Sequence, residues 1–198
     1  MPYPTVADMH TYLRANSQQP LPPGDDTLLG QLLASAIAAI EGPVGAGRRF
    51  QVDAPSTRLF DAVRDVEGRV LWLDEDLCRL DSVVNGDGTP IPLNMLAVEP
   101  TNARPIYALR LKANSALLWT YTDTPEQSIQ VTGLWGYSQA APHDIAQAAL
   151  RLATFFYRQK DSSADIDRPL LSGDGVTIMP TSLPSDVMAI CKHYRRIV

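Results

Sequence analysis

The chain has 198 residues, enough to bury about 70% of its unfolded surface without help from a metal or disulfide scaffold. Its 45% apolar and 20% charged residues are the composition of a globular protein, not of a disordered one. A net charge of −5 opposes bulk attraction to nucleic acid or anionic membrane, and no apolar run approaches the roughly 18 residues of a membrane span.

Thr5-Val6-Ala7-Asp8 has the form of a capping box with Asp in the Glu position. Val6, Met9 and Leu13 follow at helical spacing and predict a short helix to Ala15. Residues 18–24 (Gln-Gln-Pro-Leu-Pro-Pro-Gly) read as a loop, because three prolines break helix hydrogen bonding. Asp25 or Asp26 caps a second helix with one broad apolar stripe: Leu28, Leu29, Leu32, Leu33, Ala36, Ile37 and Ile40. Gly42-Pro43 stops it.

From residue 51 to 138 the apolar period becomes that of strands, with turn signals about every ten residues. Val70-Leu71-Trp72-Leu73 is a buried run, broken by the acidic Asp74-Glu75-Asp76. Val83-Val84 leads into Asn85-Gly86-Asp87-Gly88, a turn whose residues accept positive φ. Residues 104–111 alternate, with Tyr107, Leu109 and Leu111 on one face, and Leu117, Trp119 and Tyr121 alternate again. Ile129, Val131, Gly133, Trp135 and Tyr137 share a face opposite Gln130 and Thr132. The block reads as an antiparallel unit of about six strands.

Helix resumes at Pro142, with Ile145, Ala148, Ala149, Leu152, Phe155 and Phe156 as its apolar side, ending near Lys160-Asp161. Residues 161–182 lack a period and read as a long loop or arm. A last helix starts near Pro184 and carries Val187, Ile190, Cys191 and Tyr194. The order predicts an α+β fold: a helical core of about four helices from residues 1–50 and 139–198, with an inserted antiparallel β domain at 51–138.

Chemistry is sparse in this pattern. Gly42-Pro43-Val44-Gly45-Ala46-Gly47 has phosphate-loop glycine spacing, but Arg48-Arg49 stand where Lys and Ser/Thr are required, and a helix precedes it instead of a strand. Asp74-Glu75-Asp76 reads as a solvated corner, not a metal site, and the Gly-flanked Asp87 and Asp174 match no calcium loop. Cys78 and Cys191 stand far apart and read as small apolar residues, with neither a disulfide framework nor a zinc site. His10, His143 and His193 all fall in helical segments, and no Ser or Cys sits in a nucleophile-elbow context. No catalytic residue, cofactor or metal ligand is assigned, so the chain is expected not to be an enzyme. Met1-Pro2-Tyr3-Pro4 lacks the basic and apolar regions of a signal peptide, so the chain reads as soluble and cytosolic.

The ordered set of motifs resembles the head–tail connector proteins of tailed bacteriophages, also called adaptor or head-completion proteins. The residues carrying it are Tyr3-Pro4-Thr5-Val6-Ala7-Asp8-Met9, Asp25-Asp26-Thr27-Leu28-Leu29, Gly47-Arg48-Arg49-Phe50, Leu71-Trp72-Leu73-Asp74-Glu75-Asp76-Leu77 and Asn85-Gly86-Asp87-Gly88-Thr89. They continue through Val131-Thr132-Gly133-Leu134-Trp135-Gly136-Tyr137, Pro142-His143-Asp144-Ile145, and Leu152 to Gln159. They end with Leu183-Pro184-Ser185-Asp186-Val187 and Tyr194-Arg195-Arg196.

The resemblance implies a structural virion protein of the neck, in a homo-oligomeric ring of typically about twelve copies closed by heterologous contacts. Such a ring sits under the portal protein, supports the tail terminator or next neck protein, and extends the channel through which genomic DNA is ejected, without sequence-specific binding. It also implies assembly in the host cytoplasm and no membrane partner. Under it, Tyr194, Arg195, Arg196 and Ile197 are candidates for portal docking. Leu29, Leu33, Ile37, Arg48, Arg49, Phe156 and Tyr157 are candidates for the subunit interface, although core packing is the favoured reading for most of the helix-stripe positions. The block exceeds that of the smallest all-helical members, which implies a β domain on the ring's outside. Two rival readings are a tail-completion or terminator subunit, and a carbohydrate-binding β module suggested by Trp72, Trp119 and Trp135. The three tryptophans lie in apolar strand runs, where core is their expected place.

Charge is unevenly spread. Residues 1–138 hold 10 basic and 16 acidic residues, a net −6, while residues 139–198 hold 7 and 6, a net +1. A channel that passes DNA avoids tight phosphate contacts, and an acidic or mixed lumen suits that.

Overall fold

A computed structural model describes residues 2–15, 26–159, 170–171, 177–178 and 183–195. The chain divides into two compact units, Met1–Arg48 with Ala141–Val198, and Arg49–Ala140.

The first unit is helical: α1 (Val6–Ala15), α2 (Asp26–Glu41), α3 (His143–Gln159) and α4 (Ser185–Tyr194). Helix α1 starts as its capping box predicts: the Thr5 backbone N–H donates to Asp8 Oδ2 at 2.8 Å and the Asp8 N–H to Thr5 Oγ1 at 3.3 Å. The Thr5 backbone N–H, then its hydroxyl, hold the Asp8 carboxyl below the usual carboxylate range. In α2, Leu29, Leu33, Ala36 and Ile40 are buried at i, i+4, i+7 and i+11, one stripe that packs chiefly on α3. Helix α3 answers with Ile145, Ala148, Ala149 and Leu152, whose alanines let the backbones come close, while α4 lays Val187 and Cys191 against α3.

Helix α2 ends in a wrap of its glycine-rich tail. Gly42 N–H donates to Ala38 O at 2.9 Å and Ala46 N–H to Ile40 O at 2.8 Å. A Cβ at Gly45 would stand 2.2 Å from Ile40 O, so only glycine fits there. Of the N–H groups that a phosphate loop would present to a ligand, those of Gly42 and Ala46 are spent on helix carbonyls and those of Gly45 and Gly47 on Gly42 O, 3.0 Å away in both cases.

The second unit is a seven-stranded antiparallel sheet: β1 (Ser56–Phe60), β2 (Val66–Glu67), β3 (Val70–Val84), β4 (Pro90–Ile91), β5 (Leu96–Glu99), β6 (Ile106–Leu111) and β7 (Ile129–Trp135). Its order is β1-β7-β3-β6-β5, with β2 and β4 also on β3. The fold class is thus α+β, with helices from both chain ends and an antiparallel sheet between them in sequence. Leu71, Leu77, Ile106, Leu109, Ile129 and Trp135 are among the buried side chains of the sheet's own core.

Three expectations for the β block change. Asp74-Glu75-Asp76 does not end a strand. Between the pairs Trp72↔Ala108 and Leu77↔Ile106, β3 advances further than β6, so the acids ride on a bulge and pairing with β6 resumes at Leu77. Arg58 on β1 compensates them, with Nη1 2.9 Å from Asp74 Oδ2 and Nη2 2.6 Å from Glu75 Oε2, and Asp76 is buried. Residues 117–121 have the alternation of a strand but form none, apart from one bridge between Gly86 and Tyr121. Instead, buried Asn85 holds the segment, donating from Nδ2 to Leu118 O at 2.9 Å and accepting from Thr120 N–H at 3.1 Å. Finally, Trp72 is not in the core, and Tyr107 does not share the buried face of Leu109 and Leu111, as described below. Of the stretch 161–182, Leu170–Leu171 (β8) and Thr177–Ile178 (β9) pair antiparallel, and the rest lies outside the described residues.

Candidate functional site

In the helical unit, the C-terminal helix is tied down at both ends. Tyr194 donates its hydroxyl to Asp144, 2.8 and 2.9 Å from the two carboxylate oxygens, at the first turn of α3. Arg195 Nη2 reaches Pro43 O at 3.3 Å. At the other end of α4, Asp186 forms an ion pair with Arg151 of α3. Beside that pair, Tyr12, Arg151, Thr154, Phe155, Arg158 and the start of α4 line a cavity of about 240 Å³. Thr154 is buried and its hydroxyl has no hydrogen-bond partner among the described residues. Two arginines and one aspartate give the rim a net positive character within an acidic chain.

The sequence-predicted site residues divide sharply by exposure. Leu29, Leu33 and Tyr157 are buried inside the helical unit. Ile37, Arg48 and Phe156 are half-buried, and Arg49 is exposed. Phe155, which periodicity assigned to the inward side of α3, is 37% exposed. Tyr194 is half-buried and engaged with Asp144, Arg195 is exposed, and Arg196 and Ile197 lie outside the described residues. The cavity residues Tyr12, Arg151 and Arg158 carried no sequence signal beyond their helical spacing. Arg151 and Phe155 sit one turn apart on α3, a pairing visible only once α4 is placed.

In the β unit the three tryptophans differ. Trp119 and Trp135 are buried, and each indole N–H donates to a backbone carbonyl, of Arg69 at 3.1 Å and Ser56 at 2.9 Å. Arg58 also lies over the Trp135 ring, 5.0 Å from its centroid. Trp72 is 45% exposed and stacks with Tyr107, itself 40% exposed. The signal was present: Trp72 stands between buried Leu71 and Leu73, so strand alternation sends it to the opposite face.

Among the described residues no group of three His, Cys, Asp or Glu could hold a metal ion, and no helix is long and apolar enough to cross a membrane. No protein-family profile matches the sequence, and no curated protein matches it.

The molecule is thus of the α+β class in which segments from both chain ends build a helical unit and the stretch between them in sequence builds an antiparallel sheet. That fold recurs in chains of gene transfer agent particles. The chain is similar to one in the "Neck of empty GTA particle computed with C6 symmetry", with a TM-score of 0.60 and 21% identity, covering 98% of this chain and 89% of that one. It is also similar to one in the "Neck of native GTA particle computed with C12 symmetry" (TM-score 0.56, 21% identity, 98% and 88% covered). A third chain, from the "Virion of native gene transfer agent (GTA) particle", gives 0.55 and 23% over 98% and 89%. At such identities the likeness is one of fold. It agrees with the resemblance to head–tail connectors read from the motifs.

Proposed function

We propose that the chain is a non-enzymatic structural subunit of a phage-type neck, a homo-oligomeric ring adaptor that joins the portal to the tail and extends the DNA channel. The observation that carries it is fold similarity over 98% of the chain to chains in two neck structures, one computed with C6 and one with C12 symmetry. A ring of about twelve copies is compatible with both symmetries. On this reading residues 1–50 and 139–198 form the ring core, and the β domain at 51–138 lies outside it. The ring interface uses the side chains that the subunit's own core leaves accessible: Ile37, Phe155, Phe156 and Arg49. Leu29, Leu33 and Tyr157 act behind them, holding the helices that present the interface. Portal docking falls to the outer face of α4, Arg195 and the residues after it, with the Arg151–Arg158 cavity beside its N-terminus as a receptor for an acidic side chain. Genomic DNA passes without being gripped, a reading with which the net charge of −5 is compatible.

The test is native mass spectrometry and negative-stain electron microscopy of the protein, alone and mixed with its candidate portal protein. Rings, or a complex with the portal, are the expected result. A persistent monomer that ignores the portal would sink the adaptor reading. Truncation before Leu183 should abolish portal binding, and unchanged binding would remove α4 from the docking surface.

A further inference from the structure

The outer face of β3, β6 and β5 carries two large aromatics that the subunit's core does not use. Register puts Trp72, Ala108 and Glu99 in one cross-strand row, and Val70, Arg110 and Ala97 in the row one pleat away on the same face. The Trp72 and Tyr107 rings are parallel to within 7°, with centroids 6.2 Å apart. Even at a van der Waals separation of about 3.5 Å the planes are offset sideways by about 5 Å, so they form a row of two rings, not a closed sandwich. Around this row stand polar groups. Trp72 Nε1 donates to exposed Glu67 at a long 3.4 Å, and Arg110 Nε donates to Glu99 Oε1 at 2.6 Å. The Tyr107 hydroxyl has no hydrogen-bond partner among the described residues.

We propose that this face binds a neutral glycan chain, with Trp72 and Tyr107 each stacking on one sugar ring. A pyranose offers a flat face of C–H groups rimmed by hydroxyls that both donate and accept. The patch offers the complement: flat apolar rings, carboxylates to accept, and a guanidinium and a phenol to donate. Its charge fits a neutral ligand. Glu99 offsets Arg110 and Glu67 adds a negative charge, while residues 49–140 together hold 8 basic and 12 acidic residues, a net −4 that repels nucleic acid and anionic lipid. A protein partner would have to desolvate the Arg110–Glu99 pair at the centre of its contact, where charged residues are depleted. Sugar hydroxyls hydrogen-bond to that pair and leave it wet.

The experiment uses the full chain. Cellohexaose and maltohexaose, neutral hexamers of opposite linkage geometry, are titrated by calorimetry, with acrylamide quenching of tryptophan as a second readout. Trp72 is the accessible indole, since Trp119 and Trp135 are buried. At least one hexamer should bind at about millimolar Kd and protect the quenchable fluorescence. Glucose, which spans one ring, should bind at least tenfold more weakly. Trp72→Ala and Tyr107→Ala should each weaken hexamer binding at least tenfold with the thermal midpoint retained, while Leu118→Ala, an exposed site on the same unit, should not. Trp72→Phe, which keeps a ring, covers the case in which Trp72→Ala fails to fold, and should lose less than tenfold. No heat and no protection at tens of millimolar of either hexamer would overturn the proposal. So would loss of self-association, not of sugar binding, in Trp72→Ala, because the patch would then be a contact between copies. Neither result bears on whether the chain binds the portal.

Discussion

A side chain at Gly133 would place its Cβ 2.1 Å from the Arg79 carbonyl oxygen and 2.8 Å from Leu77 Cδ1. The crowding has a cause in register. Leu77↔Trp135 is followed by Arg79↔Leu134, and Leu80↔Gly133 by Ser82↔Thr132, so β3 gains a residue on β7 at each step. The two bulges press the β3 backbone onto β7 at the one position with no Cβ. Because the obstacle is backbone, not a flexible side-chain end, it has no easy way to yield. Gly133→Ala should therefore cost about 3 kcal/mol of stability in urea unfolding, with the slope unchanged. Gly47 makes the comparison: its φ is +64° but nothing lies within 4 Å of its missing Cβ, so Gly47→Ala should cost only about 1 kcal/mol. Equal costs at the two sites would show that β3 moves away freely.

Helix α4 has only ten residues, too few to persist in water by propensity alone, so its order rests on contacts with α3. Val187 and Cys191 supply the apolar part; Tyr194 on Asp144 and Asp186 with Arg151 fix the two ends. Tyr194→Phe keeps the ring and removes a half-buried hydrogen bond to a carboxylate, worth about 1.5 kcal/mol. Amide hydrogen exchange along α4 should then speed up about tenfold while the β unit is unaffected; unchanged exchange would mean the apolar contacts alone hold the helix. The helices were legible in sequence because their signals are local: a stripe at i, i+3 and i+4, and a cap such as Thr5 with Asp8. The β block was legible as strands but less so in detail. Asp74-Glu75-Asp76 resembles a strand end because its compensating Arg58 lies on another strand, and residues 117–121 alternate although Asn85, not a ladder, holds them. Periodicity finds the inward stripe of a helix without saying what lies on the other side. Leu29 and Leu33 thus read as core and interface at once, and the Arg151–Asp186 edge of the cavity could not be read at all.

The division into units also separates charge: Arg49–Ala140 carries −4 of the −5, leaving the helical ends at −1. The physical question is whether that acidic block is a domain or an extension of the helical core. Its own ends argue for a domain. The Tyr137 N–H donates to Arg49 O at 2.8 Å, the Ser138 hydroxyl donates to Phe50 O at 3.1 Å, and the Phe50 and Tyr137 rings lie 5.6 Å apart. The chain therefore begins and closes this unit at one place, the geometry that lets a domain be inserted into, or removed from, a host. Gly136 tightens the closure, since a Cβ there would stand 2.3 Å from Val52 Cγ2. The sheet's apolar core is drawn from its own strands and linkers. Expressed alone, residues 49–140 should fold. Chemical unfolding should be a single cooperative transition by circular dichroism and fluorescence, and two of the three tryptophans should be shielded from acrylamide, because Trp119 and Trp135 are buried within the unit. A fragment with a non-cooperative transition and all three indoles equally quenched would show instead that the sheet depends on the helices that precede and follow it in the chain.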